Sequence, residues 1–93
     1  MSAASDPVHL SSHHRTTLQK ILQHPAGHNI EWHDVLSLLR AVGSVVEHHD
    51  GKVAVTVGAD TRVFDVPTQK DIDLEMVVDL RRMLSAAGYG AEA

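Results

Sequence analysis

Between Ser44 and Pro67 the apolar residues alternate rather than recurring every three or four positions, and this stretch limits the fold more than any other. Val53, Val55 and Val57 fall on one side of an extended chain, with Lys52, Ala54 and Thr56 on the other. Ser44 to His49 reads as a preceding strand, joined through Asp50-Gly51 as a two-residue turn of the kind favoured in hairpins. Gly58-Ala59-Asp60 makes a second turn, and Thr61 to Val66 a third strand closed by Pro67. Three short strands with tight connections predict an antiparallel meander.

Helical periodicity flanks the meander. From Ser12 onward Leu18, Ile21 and Leu22 form a short apolar stripe, with Ser11 or Ser12 as N-cap and His24-Pro25-Ala26-Gly27 as the stop. A second helix is expected from Glu31 to Val42, capped by Asn29, with Glu31 and Asp34 in its first turn and Gly43 as its C′ residue. Its stripe is Trp32, Val35, Leu36, Leu39 and Val42, with Trp32 read as packing rather than base stacking. Asp71 or Asp73 opens the last helix, which runs to about Ala86. Val77, Leu80, Leu84 and Ala87 line it, Met76 and Met83 widen the stripe, and Gly88 ends it. The expected order is α-α-β-β-β-α, an α+β fold with the sheet packed on helices.

With 93 residues there is room for one domain, placed at 12–88 between a disordered 1–11 and a loose tail at 89–93. A chain of this size is expected to have a stability on the order of 5 kcal/mol. Without cysteine neither a disulfide framework nor a thiolate zinc site is available. No apolar run approaches membrane-spanning length, and Met1–Asp6 lacks a signal-peptide pattern, so the expected location is cytoplasmic. The formal charge of −4 argues against an indiscriminate nucleic-acid binder, although seven of the twelve acids lie at Asp60 or later and leave room for segregated charge.

Helix, three-strand meander, helix is the double-stranded-RNA-binding-domain-like topology, here with an extra N-terminal helix. His28-Asn29-Ile30-Glu31-Trp32 leading into Val35-Leu36-Ser37-Leu38-Leu39 is similar to the helix entry of the longer HicA-like toxins. Gly51-Lys52-Val53-Ala54-Val55 resembles their middle strand, and Val63-Phe64-Asp65-Val66-Pro67 their third. Val78-Asp79-Leu80-Arg81-Arg82-Met83-Leu84 followed by Ala87-Gly88 resembles the closing helix, so the resemblance covers roughly Arg15 to Gly88. It implies a small bacterial endoribonuclease that cleaves messenger RNA and is held inactive by a HicB-type antitoxin. The family's catalytic histidine stands on the middle strand after a Gly-Ser. That place falls on Lys52 or on Val53 according to the alignment chosen, and a histidine often found before the third strand's proline is Asp65 here.

Cleavage by 2′-OH attack needs a base, an acid and a cation, and histidine suits the first two roles near neutral pH. The nearest candidates are His48 and His49 beside the first turn. If Val46 faces the core, His48 shares its face and His49 turns toward Lys52 or Arg62. The plainer account is two solvated histidines at a hairpin tip. Lys52, Arg62, Lys70, Arg81 and Arg82 are the candidate RNA-binding cations, against the alternative of ordinary pairing with Glu47, Asp50, Asp60 and Asp65. A metal site is not expected, because Pro25 and Gly27 break the spacing of His24 and His28 and no His-Glu-x-x-His pattern occurs. No cofactor is expected. Three functions remain open: an RNA-binding HicA-like toxin–antitoxin domain with degenerate catalysis, a non-enzymatic protein-interaction module of the same fold, or an active ribonuclease with a relocated histidine.

Overall fold

The structure, a computed structural model, describes residues 10–23 and 29–89. The elements follow the expected order: α1 (Ser12–Leu22), α2 (Trp32–Val42), β1 (Ser44–Glu47), β2 (Lys52–Val57), β3 (Asp60–Asp65) and α3 (Leu74–Ala86). The strands form one antiparallel sheet in the order β1-β2-β3.

Local chemistry accounts for most boundaries. The Ser11 side chain accepts from the His14 N–H and opens α1. Asp73 Oδ1 accepts from the Met76 N–H at 2.9 Å and opens α3. Gly88, at φ 99°, closes α3 with a Schellman motif in which Tyr89 N–H reaches Leu84 O and Gly88 N–H reaches Ser85 O. The predicted stop of α1 at residues 24–27 lies outside the described residues. The start of α2 differs from expectation. Asn29 is left-handed (φ 62°) and caps nothing, while the N-cap residue Glu31 makes no side-chain cap. Instead the segment before α2 pairs with the segment before α3: Trp32 N–H donates to Lys70 O and Ile72 N–H to Ile30 O, both at 2.9 Å. A neighbouring carbonyl thus satisfies one orphan donor at the helix start.

Gly43 is also different in kind. Its φ of −163° is extended, so it is not a left-handed C′ residue. A Cβ there would stand 1.9 Å from the carbonyl oxygen of Thr56, so the position needs the absence of a side chain where α2 turns into β1.

Both turns differ from expectation by one residue, the first longer and the second shorter. His48 N–H donates to Lys52 O at 2.8 Å and Gly51 is left-handed at φ 81°, so the first loop is the three residues His49-Asp50-Gly51. The second is the two residues Gly58-Ala59, with Gly58 at φ 63° and Asp60 already paired with Val57. The first strand therefore ends at Glu47 rather than His49, and the third spans Asp60–Asp65 rather than Thr61–Val66.

The helices cover one face of the sheet. Val53, Val55, Val57 and Phe64 are buried there against Val35, Leu38, Leu39, Leu80 and Leu84. Burial of each such side chain contributes about 1.5–3 kcal/mol. The α2 stripe includes Leu38, missed in the sequence, and leaves Leu36 only half-buried. Packing also reaches past the expected domain ends: Leu10 is buried and Tyr89 rests on the core. Among the described residues no helix covers the other sheet face. Val46, Ala54 and Val63 lie side by side across it in register, and Val46 and Val63 are 56% and 61% exposed. Val46 therefore faces away from the core, opposite to the sequence expectation, and Val45 packs inward in its place.

Candidate functional site

The strand register decides which charged groups share a surface, because directly opposed residues point to the same side. Lys52 is opposite Asp65 and Arg62 is opposite the buried Val55. Lys52 thus projects from the open face, while Arg62 projects from the helix-covered face. The expected neighbourhood of His49, Lys52 and Arg62 does not form. His48, bonded to Lys52 through its backbone, shares the open face with it, and His49 occupies the turn itself. Both histidines are exposed and neither has a side-chain partner among the described residues.

Four of the five candidate cations are already engaged. Lys52 Nζ donates to Asp65 Oδ1 across the β2–β3 ladder. That hydrogen bond, then the carboxylate's charge, holds the ammonium above its ordinary value. Arg62 lies between Asp60 at 3.6 Å and Asp79 of α3 at 4.0 Å. Lys70 pairs with Glu31 at 3.6 Å. Arg81 Nε donates to Ile21 O at 3.1 Å and an Nη donates to Gln23 O at 3.0 Å. Its charge therefore satisfies the carbonyl end of α1, where a cation is stabilising. Arg82, exposed on α3, has neither a side-chain hydrogen bond nor an ion pair among the described residues. Lys52, Arg62 and Lys70 are thus each matched locally by an acid and Arg81 by a helix terminus, which leaves one unmatched candidate rather than a group of them.

The engaged histidines are others, unmarked by any local motif. His13 Nε2 is 3.2 Å from Asp34 Oδ1, and His14 Nε2 is 2.8 Å from Ser37 Oγ, both bonds joining α1 to α2. The sequence places His13 and His14 beside a helix start but gives no sign of their partners twenty residues on. A serine hydroxyl bonded to imidazole is half of a nucleophilic pair. Ser37 lies in mid-helix, where backbone N–H groups are committed to the helix ladder and offer no oxyanion site. The pair is an interhelical bond.

Among the described residues no three His, Asp or Glu side chains gather as a metal set; His24 and His28 lie outside those residues. Among the described residues no helix is long and apolar enough to cross a membrane.

Unpartnered surface among the described residues includes the sheet. Its open face carries the Val46-Ala54-Val63 row, and the edge of β3 runs beside a shallow cleft of about 200 Å³ against α3. Phe64, Asp65, Asp73, Glu75 and Asp79 are among the residues lining that cleft. Comparisons with protein-family models, curated proteins and solved structures return no match to this chain.

Proposed function

We propose that this chain is a non-enzymatic protein-interaction module of the HicA-like kind of fold, presenting its sheet to a partner protein, and that it neither cuts nor holds RNA. The observation that carries this is the local neutralisation of the candidate cations: Lys52 by Asp65, Arg62 by Asp60 and Asp79, Lys70 by Glu31. Phosphate binding draws its free energy from unmatched cations releasing counterions, and such cations are scarce here. The missing histidine at Lys52 or Val53 points the same way. The resemblance makes a HicB-type antitoxin the first partner to test, in the cytoplasm, where a cysteine-free chain loses nothing to reduction.

Expression in a bacterial host tests the reading. Induction of the chain leaves growth and bulk messenger RNA unchanged, and purified chain leaves a single-stranded RNA intact over hours. Growth arrest relieved by His49→Ala or His48→Ala would overturn the reading and restore the relocated-histidine ribonuclease.

A further inference from the structure

We propose that the free edge of β3 receives a fourth strand from a basic, extended segment of a partner protein, one with lysine or arginine at alternate positions. This rests on the protein-module reading and names the surface and the partner chemistry.

The two-residue turn makes Val57 and Asp60 a hydrogen-bonded pair, so Asp60, Arg62 and Phe64 turn their N–H and C=O groups toward β2. Thr61, Val63 and Asp65 turn theirs outward. Among the described residues no backbone hydrogen bond outside the ladder reaches these three. Their spacing is that of a strand edge ready to pair. The opposite edge is shorter, since β1 has only four residues.

Charge then selects the occupant. Along this edge lie Asp60 and Asp65 of β3, Asp73 capping α3, and Glu75 and Asp79 of α3. Five carboxylates face two cations, Lys52 and Arg62. A second copy pairing edge to edge would bring two such acidic sets together, and like charges at that range oppose association. A basic strand meets them favourably. Its period of two gives the side-chain pattern: alternate basic residues turn toward the α3 carboxylates, and the residues between them cover exposed Val63 on the open face.

The test uses the full chain, isotope-labelled, and an end-capped synthetic peptide alternating lysine and valine. Controls are an alternating glutamate–valine peptide and a lysine–valine peptide of the same composition with its lysines in adjacent pairs. The alternating basic peptide is expected to slow amide exchange at Thr61, Val63 and Asp65 by about tenfold when present at ten times its Kd. Exchange at Asp60, Arg62 and Phe64, already bonded to β2, stays unchanged. Val63→Pro removes an outward donor without touching the ladder and weakens binding about fivefold, as loss of one backbone hydrogen bond requires. Glu75→Lys, on an exposed helical position, weakens it about tenfold and serves if the proline variant fails to fold. Protection at other amides, equal binding of the paired-lysine peptide, or a folded Val63→Pro binding as tightly as the parent would overturn the proposal. So would concentration-dependent self-association that protects the same amides without peptide. If the peptide does not bind and RNA does not either, the edge assignment falls and the module reading stands. Retention of RNA overturns that reading itself.

Discussion

Replacing Gly43 with alanine adds one carbon and forces two secondary elements apart. The new Cβ would lie 1.9 Å from Thr56 O and 3.0 Å from its carbonyl carbon, both backbone atoms of the central strand. Ordinary contact begins near 3.4 Å, so the end of α2 or the middle of β2 must retreat by roughly 1.5 Å. No side-chain rotation relieves this. Overpacking of this kind costs about 1–3 kcal/mol. Retreat also strains the Ser44–Thr56 pair that begins the β1–β2 ladder, at about 1 kcal/mol for each of its two hydrogen bonds. The total is about 3–5 kcal/mol, most of the stability of about 5 kcal/mol expected of a domain this size. At about 4–8 °C per kcal/mol, Tm falls by roughly 12–40 °C. Thermal and urea unfolding followed by circular dichroism measure it. Gly51→Ala is the comparison: Gly51 is left-handed at φ 81° with nothing within 4 Å of its Cβ position. It costs only the left-handed conformation, about 1–2 kcal/mol. A Gly43→Ala loss no greater than that of Gly51→Ala would refute the steric account.

Three further outcomes follow from the same contacts. Arg81→Met exposes the Ile21 and Gln23 carbonyls and lowers stability by about 1–3 kcal/mol, read by urea unfolding. Leu38→Ala, fully buried at the centre of α2, costs about 2–5 kcal/mol in the same assay. Lys52, whose ammonium is held up by Asp65, titrates at higher pH in the parent chain than in Asp65→Asn when followed by NMR. Because the folded state raises this value above 10.5, its stabilisation is present throughout the neutral range and is lost only as pH climbs through the folded value.

The meander was legible because Val53, Val55 and Val57 alternate and glycines stand at both turns. The helices were legible from their stripes and from caps such as Ser11 and Asp73. The site was not, and one residue explains why. A two-residue turn at Asp50-Gly51 pairs His49 with Lys52 and turns Val46 inward; the three-residue loop pairs His48 with Lys52 and turns Val46 outward. A shift of one residue in register flips every side chain of β1. For Arg62 the sequence did hold a signal: it has the same parity as Phe64, and a buried phenylalanine puts the arginine on the covered face. The Arg81 contacts to α1 and the Gly43–Thr56 approach join residues 13 to 60 positions apart, which no local pattern encodes.

The claim at the centre of this account is that Lys52, Arg62, Lys70 and Arg81 are held by partners within the chain and present no surface for phosphate. Titrating single-stranded RNA into isotope-labelled chain at a low ionic strength of about 20 mM, where surface attraction is strongest, tests it most directly. The account predicts no saturable displacement of the resonances of those residues. Saturable displacement at Lys52 and Arg62 that weakens steeply with added salt would contradict it.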